Sequence, residues 1–251
     1  MTSGPETGVH TGRRPTGRVS WGIVDAVLCW VAGGVAAGIV GIPLYSRATG
    51  LDIDPVYTFG LLLPAQQFTV ILAVYLVSRL KGRGSLAADF GLDLRFRLSD
   101  ARALFLGAAL EFVLAAAVLP LLTLSREAEP QQLLRDLQDS QGAPPVFLFV
   151  IGAVVLAPLV EELLYRGLLL RALLRRVQPA GAVFLSALVF ALVHYVGDPS
   201  TLPFLPALTA LGVVLGLVAL RTGSLKWPIL IHAGFNLTTT LLFLVASGAP
   251  S

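Results

Sequence analysis

Seven apolar runs, each long enough to cross a bilayer, divide this sequence. They lie at roughly 21–45, 57–79, 103–124, 146–170, 181–196, 203–220 and 226–246. About 20 consecutive apolar residues cross a membrane as an α-helix, whereas a transmembrane β-barrel needs short strands of alternating hydrophobicity. The sequence therefore predicts an all-α fold, a polytopic bundle of about seven transmembrane helices, and leaves open an eighth, re-entrant span.

The composition excludes several other classes of protein. Hydrophobic residues make up 55% of the chain and charged residues only 13%, against about 25% charged residues in an ordinary soluble domain. This excludes a typical soluble enzyme and a nucleic-acid-binding module. Cys29 is the single cysteine, so a disulfide framework is excluded as well. We expect the lipid bilayer, and no nucleic acid, as a partner.

The charged loops between the runs predict the orientation of the bundle. Loop 79–102 is rich in arginine, and further basic residues follow the fourth and sixth runs, whereas segments 46–56 and 125–145 are neutral to acidic. Cytoplasmic loops of membrane proteins carry the excess of Lys and Arg. We therefore predict a multi-pass protein of the cell membrane, with residues 1–20 as a disordered cytoplasmic tail and residues 21–248 as the transmembrane domain.

The fourth run contains three charged residues, Glu161, Glu162 and Arg166. Each ionised residue at a helix centre costs about 2.5–3.5 kcal/mol on insertion scales, so these side chains must face the interior, pair, or line a polar cavity. Glu162 and Arg166 are four residues apart and share a helix face, which predicts an ion pair. This pair leaves Glu161 without a cation. Pro158, just before it, predicts an interruption of the helix.

The fifth and seventh runs also contain polar residues at helical spacing. Phe190 and His194 are four residues apart, and so are His232 and Asn236. Together with Glu161, two imidazoles and a carboxamide are the groups needed to activate a water molecule and stabilise an oxyanion. A structural network of ion pairs and interhelical hydrogen bonds is the alternative interpretation.

Three motifs in this order resemble those of the CPBP family, the CAAX protease and bacteriocin-processing (Abi) intramembrane proteases, which are similar to the CAAX-prenyl endopeptidase. The resemblance covers roughly residues 145–240 and rests on the strings Glu161-Glu162-Leu-Leu-Tyr-Arg166-Gly167, Phe190-Ala-Leu-Val-His194 and His232-Ala-Gly-Phe-Asn236.

The resemblance implies an intramembrane endopeptidase with a polar cavity that opens towards the cytoplasm. It implies a protein or peptide substrate, lipidated or membrane-anchored, and a link to bacteriocin processing or immunity. It also implies site roles: Glu161 and His194 would activate water, His232 and Asn236 would bind the oxyanion, and Glu162, Arg166 and Phe190 would support the site.

The residues allow two chemistries. Glu161, His194 and His232 form a His₂Glu set that could hold a catalytic zinc ion, with Glu162 as the base. Alternatively, Glu161 itself is the base and no metal or other cofactor is needed. We favour the second chemistry, because Asn236 is a poor zinc ligand but a good donor to an oxyanion, and because the spans lack a His-Glu-x-x-His motif.

Two alternative functions belong to other classes. The first is a non-catalytic membrane immunity or scaffold protein. The second is a proton-coupled transporter, since buried Glu and His residues also relay protons. The lack of internal repeats argues against the transporter.

Overall fold

The computed structural model describes residues 19–41, 62–124 and 143–246. The predicted tail up to residue 18, the start of the second run and segment 125–142 lie outside the described residues.

Eight α-helices, α1 to α8, make up the described parts of the chain, and several continue into short π- or 3₁₀-helical turns. The fourth apolar run forms one long helix, α5, in which α-helical and π-helical stretches alternate, with π-helix at Ile151–Leu156 and Glu162–Leu169. The helices are α1 Ile23–Val35, α2 Leu63–Lys81, α3 Leu86–Phe90, α4 Ala101–Leu124, α5 143–173, α6 Pro179–Gly197, α7 Leu205–Thr222 and α8 Lys226–Ala246.

Six of the described helices are long and apolar enough to cross a membrane, and a shorter apolar helix covers Ile23–Gly38. The prediction of a polytopic helical bundle is thereby confirmed. Its core is built of aliphatic side chains such as Leu163, Leu168 and Leu215, which are at most 1% exposed.

Small residues set the closest helix contacts, as expected in membrane bundles. A Cβ atom at Gly212 would lie 2.8 Å from the Cβ of Ala187, and one at Gly216 would lie 3.1 Å from Val183. The Gly212–Gly216 spacing therefore packs α7 against α6. At Gly34 and Gly38, which have the same spacing, a Cβ would meet no described heavy atom within 4 Å.

Two further glycines bring α4 and α8 together, and the sequence pattern did not single them out. A Cβ atom at Gly107 would overlap the Ile231 carbonyl oxygen and lie 2.7 Å from the Phe235 nitrogen. A Cβ atom at Gly234 would overlap the Leu104 carbonyl oxygen and lie 2.7 Å from the Leu104 carbonyl carbon. This contact fixes the backbone of α8 on either side of His232.

Loops and helix ends rich in basic residues meet at one end of the bundle, which we call the basic end (segments 79–102, 171–176 and 221–226). Its segments are joined by the hydrogen bond from Leu225 N to Gly91 O, at 2.8 Å, and by the ion pair between Lys226 and Asp100, at 3.0 Å. Gly91 ends α3 with φ of 73°, a left-handed conformation that favours glycine. The start of α1 joins the same end through the Asp25–Lys81 ion pair at 2.6 Å.

Candidate active site

A cavity of about 520 Å³ lies between α1, α2, α5, α6, α7 and α8. Its lining includes all four side chains predicted to be catalytic, Glu161, His194, His232 and Asn236. The tertiary structure thus brings polar residues from three separate motifs to one cavity, whose lining is otherwise mainly apolar.

The predicted ion pair lies directly behind this cavity. Arg166 Nη1 donates to Glu162 Oε1 at 2.7 Å, and both side chains are fully buried. Arg166 Nη2 donates to the carbonyl of Gly212 at 3.2 Å, and its guanidinium lies 4.6 Å from the centre of the Phe190 ring. The pair therefore joins α5, α6 and α7, while Glu162 Oε2 and Arg166 Nε have no hydrogen-bond partner among the described residues.

His232 connects this pair to the cavity. Its Nδ1 lies 3.0 Å from Glu162 Oε1, and its Nε2 lies 3.7 Å from Glu161 Oε2. A carboxylate only accepts, so Nδ1 carries the hydrogen and Nε2 is the nitrogen turned towards Glu161. The two adjacent carboxylates of α5 therefore lie on the two sides of one imidazole. The sequence did not predict the contact of His232 with Glu162.

Glu161 differs from Glu162 in its surroundings. Its side chain is 26% exposed, compared with 0% for Glu162. Even so, its Oε2 atom is buried and has no hydrogen-bond partner among the described residues. A buried carboxylate oxygen without a partner is costly, and here it belongs to a residue that lines the cavity. This atom is the natural acceptor for a water molecule or a proton.

Phe190 lies between the two histidines. Its ring centre is 4.7 Å from that of His194 and 5.7 Å from that of His232. The Nδ1 atom of His194 donates to the Phe190 carbonyl at 2.8 Å, so its Nε2 keeps the lone pair. Tyr165 packs edge-on against Phe190 at 5.4 Å. One ring therefore contacts both imidazoles and the buried arginine.

Asn236 is anchored by the backbone of α5. Its Nδ2 donates to the Ala153 carbonyl at 2.8 Å, and Gln67 Nε2 donates to the neighbouring Gly152 carbonyl at 3.3 Å. Both acceptors belong to the π-helical stretch just before Pro158. The interruption of the helix that Pro158 predicts is therefore a π-helical stretch. Such π-helical turns are frequent at functional sites. Because a carboxamide has two N–H groups, one remains for a ligand.

The residues do not fit a metal ion in this arrangement. Among residues 19–41, 62–124 and 143–246, no group of three His, Cys, Asp or Glu side chains lies close enough together to hold one. Glu161, His194 and His232 share the cavity, but the His₂Glu set proposed for zinc is not gathered as a ligand shell. We therefore derive no step through a metal.

Residues 143–238 match the family described as type II CAAX prenyl endopeptidase Rce1-like. This region is Rce1-like. The match contains all three motifs and confirms the resemblance seen in the sequence, while residues 1–142 lie outside it. No curated protein and no solved structure matches the chain. The Rce1-like match supports, in general terms, a CAAX-protease-like endopeptidase in the membrane that acts on a protein or peptide.

Proposed function

We propose that this protein is an intramembrane endopeptidase that hydrolyses a peptide bond with a water molecule activated by Glu161 and His194. The observation that carries the proposal is the unpartnered Oε2 of Glu161, which lies 3.7 Å from His232 Nε2 in the cavity that His194 and Asn236 also line. The Rce1-like match supports the same class of reaction.

The side chains of this site can accept and return every proton that the hydrolysis moves. Glu161 takes a proton from water while the water oxygen forms a bond to the carbonyl carbon of the substrate. His194 Nε2 accepts a hydrogen bond from the same water and orients it. The tetrahedral intermediate then collapses, the C–N bond breaks, and Glu161 passes its proton to the leaving nitrogen.

His232 and Asn236 are the proposed donors to the oxyanion. Asn236 offers its second N–H, since the first is held by the Ala153 carbonyl. His232 can donate from Nε2 only as an imidazolium, because its Nδ1 hydrogen is directed at Glu162. Glu162 and Arg166 act as positioning residues, since they reach the cavity only through His232 and Phe190.

The proposed mechanism needs no metal and no other cofactor. A non-catalytic scaffold would not need an unpartnered carboxylate beside two imidazoles, because binding alone requires no proton acceptor. A lipidated or membrane-anchored substrate remains part of the proposal and agrees with the apolar surroundings of the cavity.

The test is proteolysis by the purified full chain in detergent, against a peptide library that includes prenylated tails. We expect Glu161→Gln and His194→Ala to abolish cleavage in a folded protein. Asn236→Ala should retain measurable activity, because loss of one oxyanion donor typically lowers the rate by about 10²–10³.

Glu111→Gln is the matched control. Glu111 is also a buried carboxylate in a spanning helix, but it does not line the cavity, so this variant should cleave at the wild-type rate. Wild-type cleavage by Glu161→Gln would refute the mechanism.

A further inference from the structure

We infer that the candidate active site is reached from the extracytoplasmic side of the membrane. Its substrate would then be a peptide segment that adjoins a membrane anchor on that side, and not a prenylated tail presented from the cytoplasm. That the bound peptide is a substrate rests on the proposed function, whereas the side of access depends only on the fold and the charge distribution.

The cavity extends to one end of the bundle, which we call the cavity end. Its lining includes Leu63 at the start of α2, Gly197 at the end of α6, and Asp198 and Thr201 just beyond it. No residue of the basic end, as defined by its three segments, lines it. The cavity therefore extends to the helix ends farthest from the basic loops.

The depth of His194 gives the same direction. It lies three residues before the last residue of α6, Gly197, and fifteen after the first, Pro179. At about 1.5 Å per residue, this places it about 5 Å from the cavity end of the helix and about 22 Å from the other end.

A buried layer closes the route from the basic end. Glu162 and Arg166 have fully buried side chains, Phe190 is 0% exposed, and Leu163 is 1% exposed. These side chains lie behind Glu161 and His232 and are held by the ion pair and by the contact of Arg166 with Phe190. A peptide entering from the basic end would have to displace this pair, whereas Glu161 itself lines the cavity that extends to the cavity end.

The charges assign the two ends to the two sides of the membrane. Segments 79–102, 171–176 and 221–226 at the basic end hold eleven Lys and Arg residues and three Asp residues. The described residues of α1 and α4 run from the basic end towards the cavity end. The segments that follow them in the sequence, 42–61 and 125–142, hold three Arg residues and six acidic residues. Cytoplasmic loops carry the excess of Lys and Arg, so the basic end is cytoplasmic and the cavity end is extracytoplasmic.

Two expectations from the sequence disagree about the side on which the cavity opens. The basic loops predict a cytoplasmic basic end, whereas the family resemblance implies a cavity open to the cytoplasm. In this fold the cavity and the basic loops lie at opposite ends, so only one of the two can hold. We follow the charges, because they belong to this chain.

The first test is cysteine labelling of the full chain in intact bacterial cells, with Cys29 replaced by Ala. Gly197→Cys probes the cavity end, where a Cβ meets no described atom within 4 Å, and Ser85→Cys probes the exposed surface of the basic end. A membrane-impermeant maleimide should label Gly197→Cys in intact cells and Ser85→Cys only after the membrane is opened. Labelling of Ser85→Cys in intact cells, or of neither variant until lysis, would overturn the inference.

The second test uses a water-soluble peptide that the detergent-solubilised enzyme cleaves. Right-side-out vesicles should cleave the peptide when it is added outside, and inside-out vesicles should not. The reverse result would overturn the inference while leaving the proposed function intact. If detergent-solubilised protein cleaves nothing in the library, the proposed function fails, and the labelling experiment still decides the side of access.

Discussion

Replacement of Arg166 by Met tests whether the buried ion pair supports the site. Met fills much of the same volume and keeps a contact with the Phe190 ring, but it leaves Glu162 fully buried without its cation. Breaking one partner of a buried pair costs about 3–5 kcal/mol. His232 Nδ1 still donates to Glu162 at 3.0 Å, so we expect the lower part of that range.

The predicted loss is measurable as a change in Tm. For a chain of this size, 1 kcal/mol corresponds to roughly 2–4 °C, so Arg166→Met should lower Tm by about 6–12 °C. The assay is thermal unfolding of the purified protein in detergent, followed by tryptophan fluorescence. Arg176→Met is the matched control: Arg176 is exposed just past the end of the same helix, and its loss should change stability by less than about 0.5 kcal/mol.

The double variant Glu162→Gln with Arg166→Met separates the stranded charge from the loss of packing. Gln accepts the His232 hydrogen bond and leaves no buried charge, so the double variant should be more stable than Arg166→Met alone. This non-additivity is the signature of a directly coupled pair. A Tm for Arg166→Met within 2 °C of wild type, or a double variant no more stable than the single one, would refute the reasoning.

Two further predictions concern helix packing and metal. Gly234→Ala should lower the free energy of unfolding by about 1–3 kcal/mol because its Cβ overlaps the backbone of Leu104. Gly34→Ala, whose Cβ meets no described atom within 4 Å, should be neutral or stabilising by up to about 1 kcal/mol. Equal melting temperatures for the two variants would contradict this packing. Cleavage should survive chelator treatment of the purified protein, and elemental analysis should find no stoichiometric zinc; zinc that leaves and returns together with activity would show that the metal-free chemistry is wrong.

Much of the site could be predicted from local sequence rules. The pairing of Glu162 with Arg166 follows from helix geometry, and the structure confirms it at 2.7 Å. The cost of charges in an apolar run singled out Glu161, and the structure places it in the cavity. Two glycine pairs with the same spacing differ, since Gly212 packs closely against Ala187 whereas a Cβ at Gly34 meets no described atom, because spacing does not say which helix face has a neighbour.

The sequence by itself determined the class of fold, the helices and the residues proposed to carry the chemistry, because apolar length, charge cost and helical period are local properties. Only the tertiary structure decided that His232 lies between Glu161 and Glu162, 70 residues away from the latter, and that an α5 carbonyl anchors Asn236. It also decided that the cavity lies opposite the basic loops. The physical reason is that the periodicity of one helix fixes which of its residues share a face, whereas the partner of that face depends on how all the helices pack.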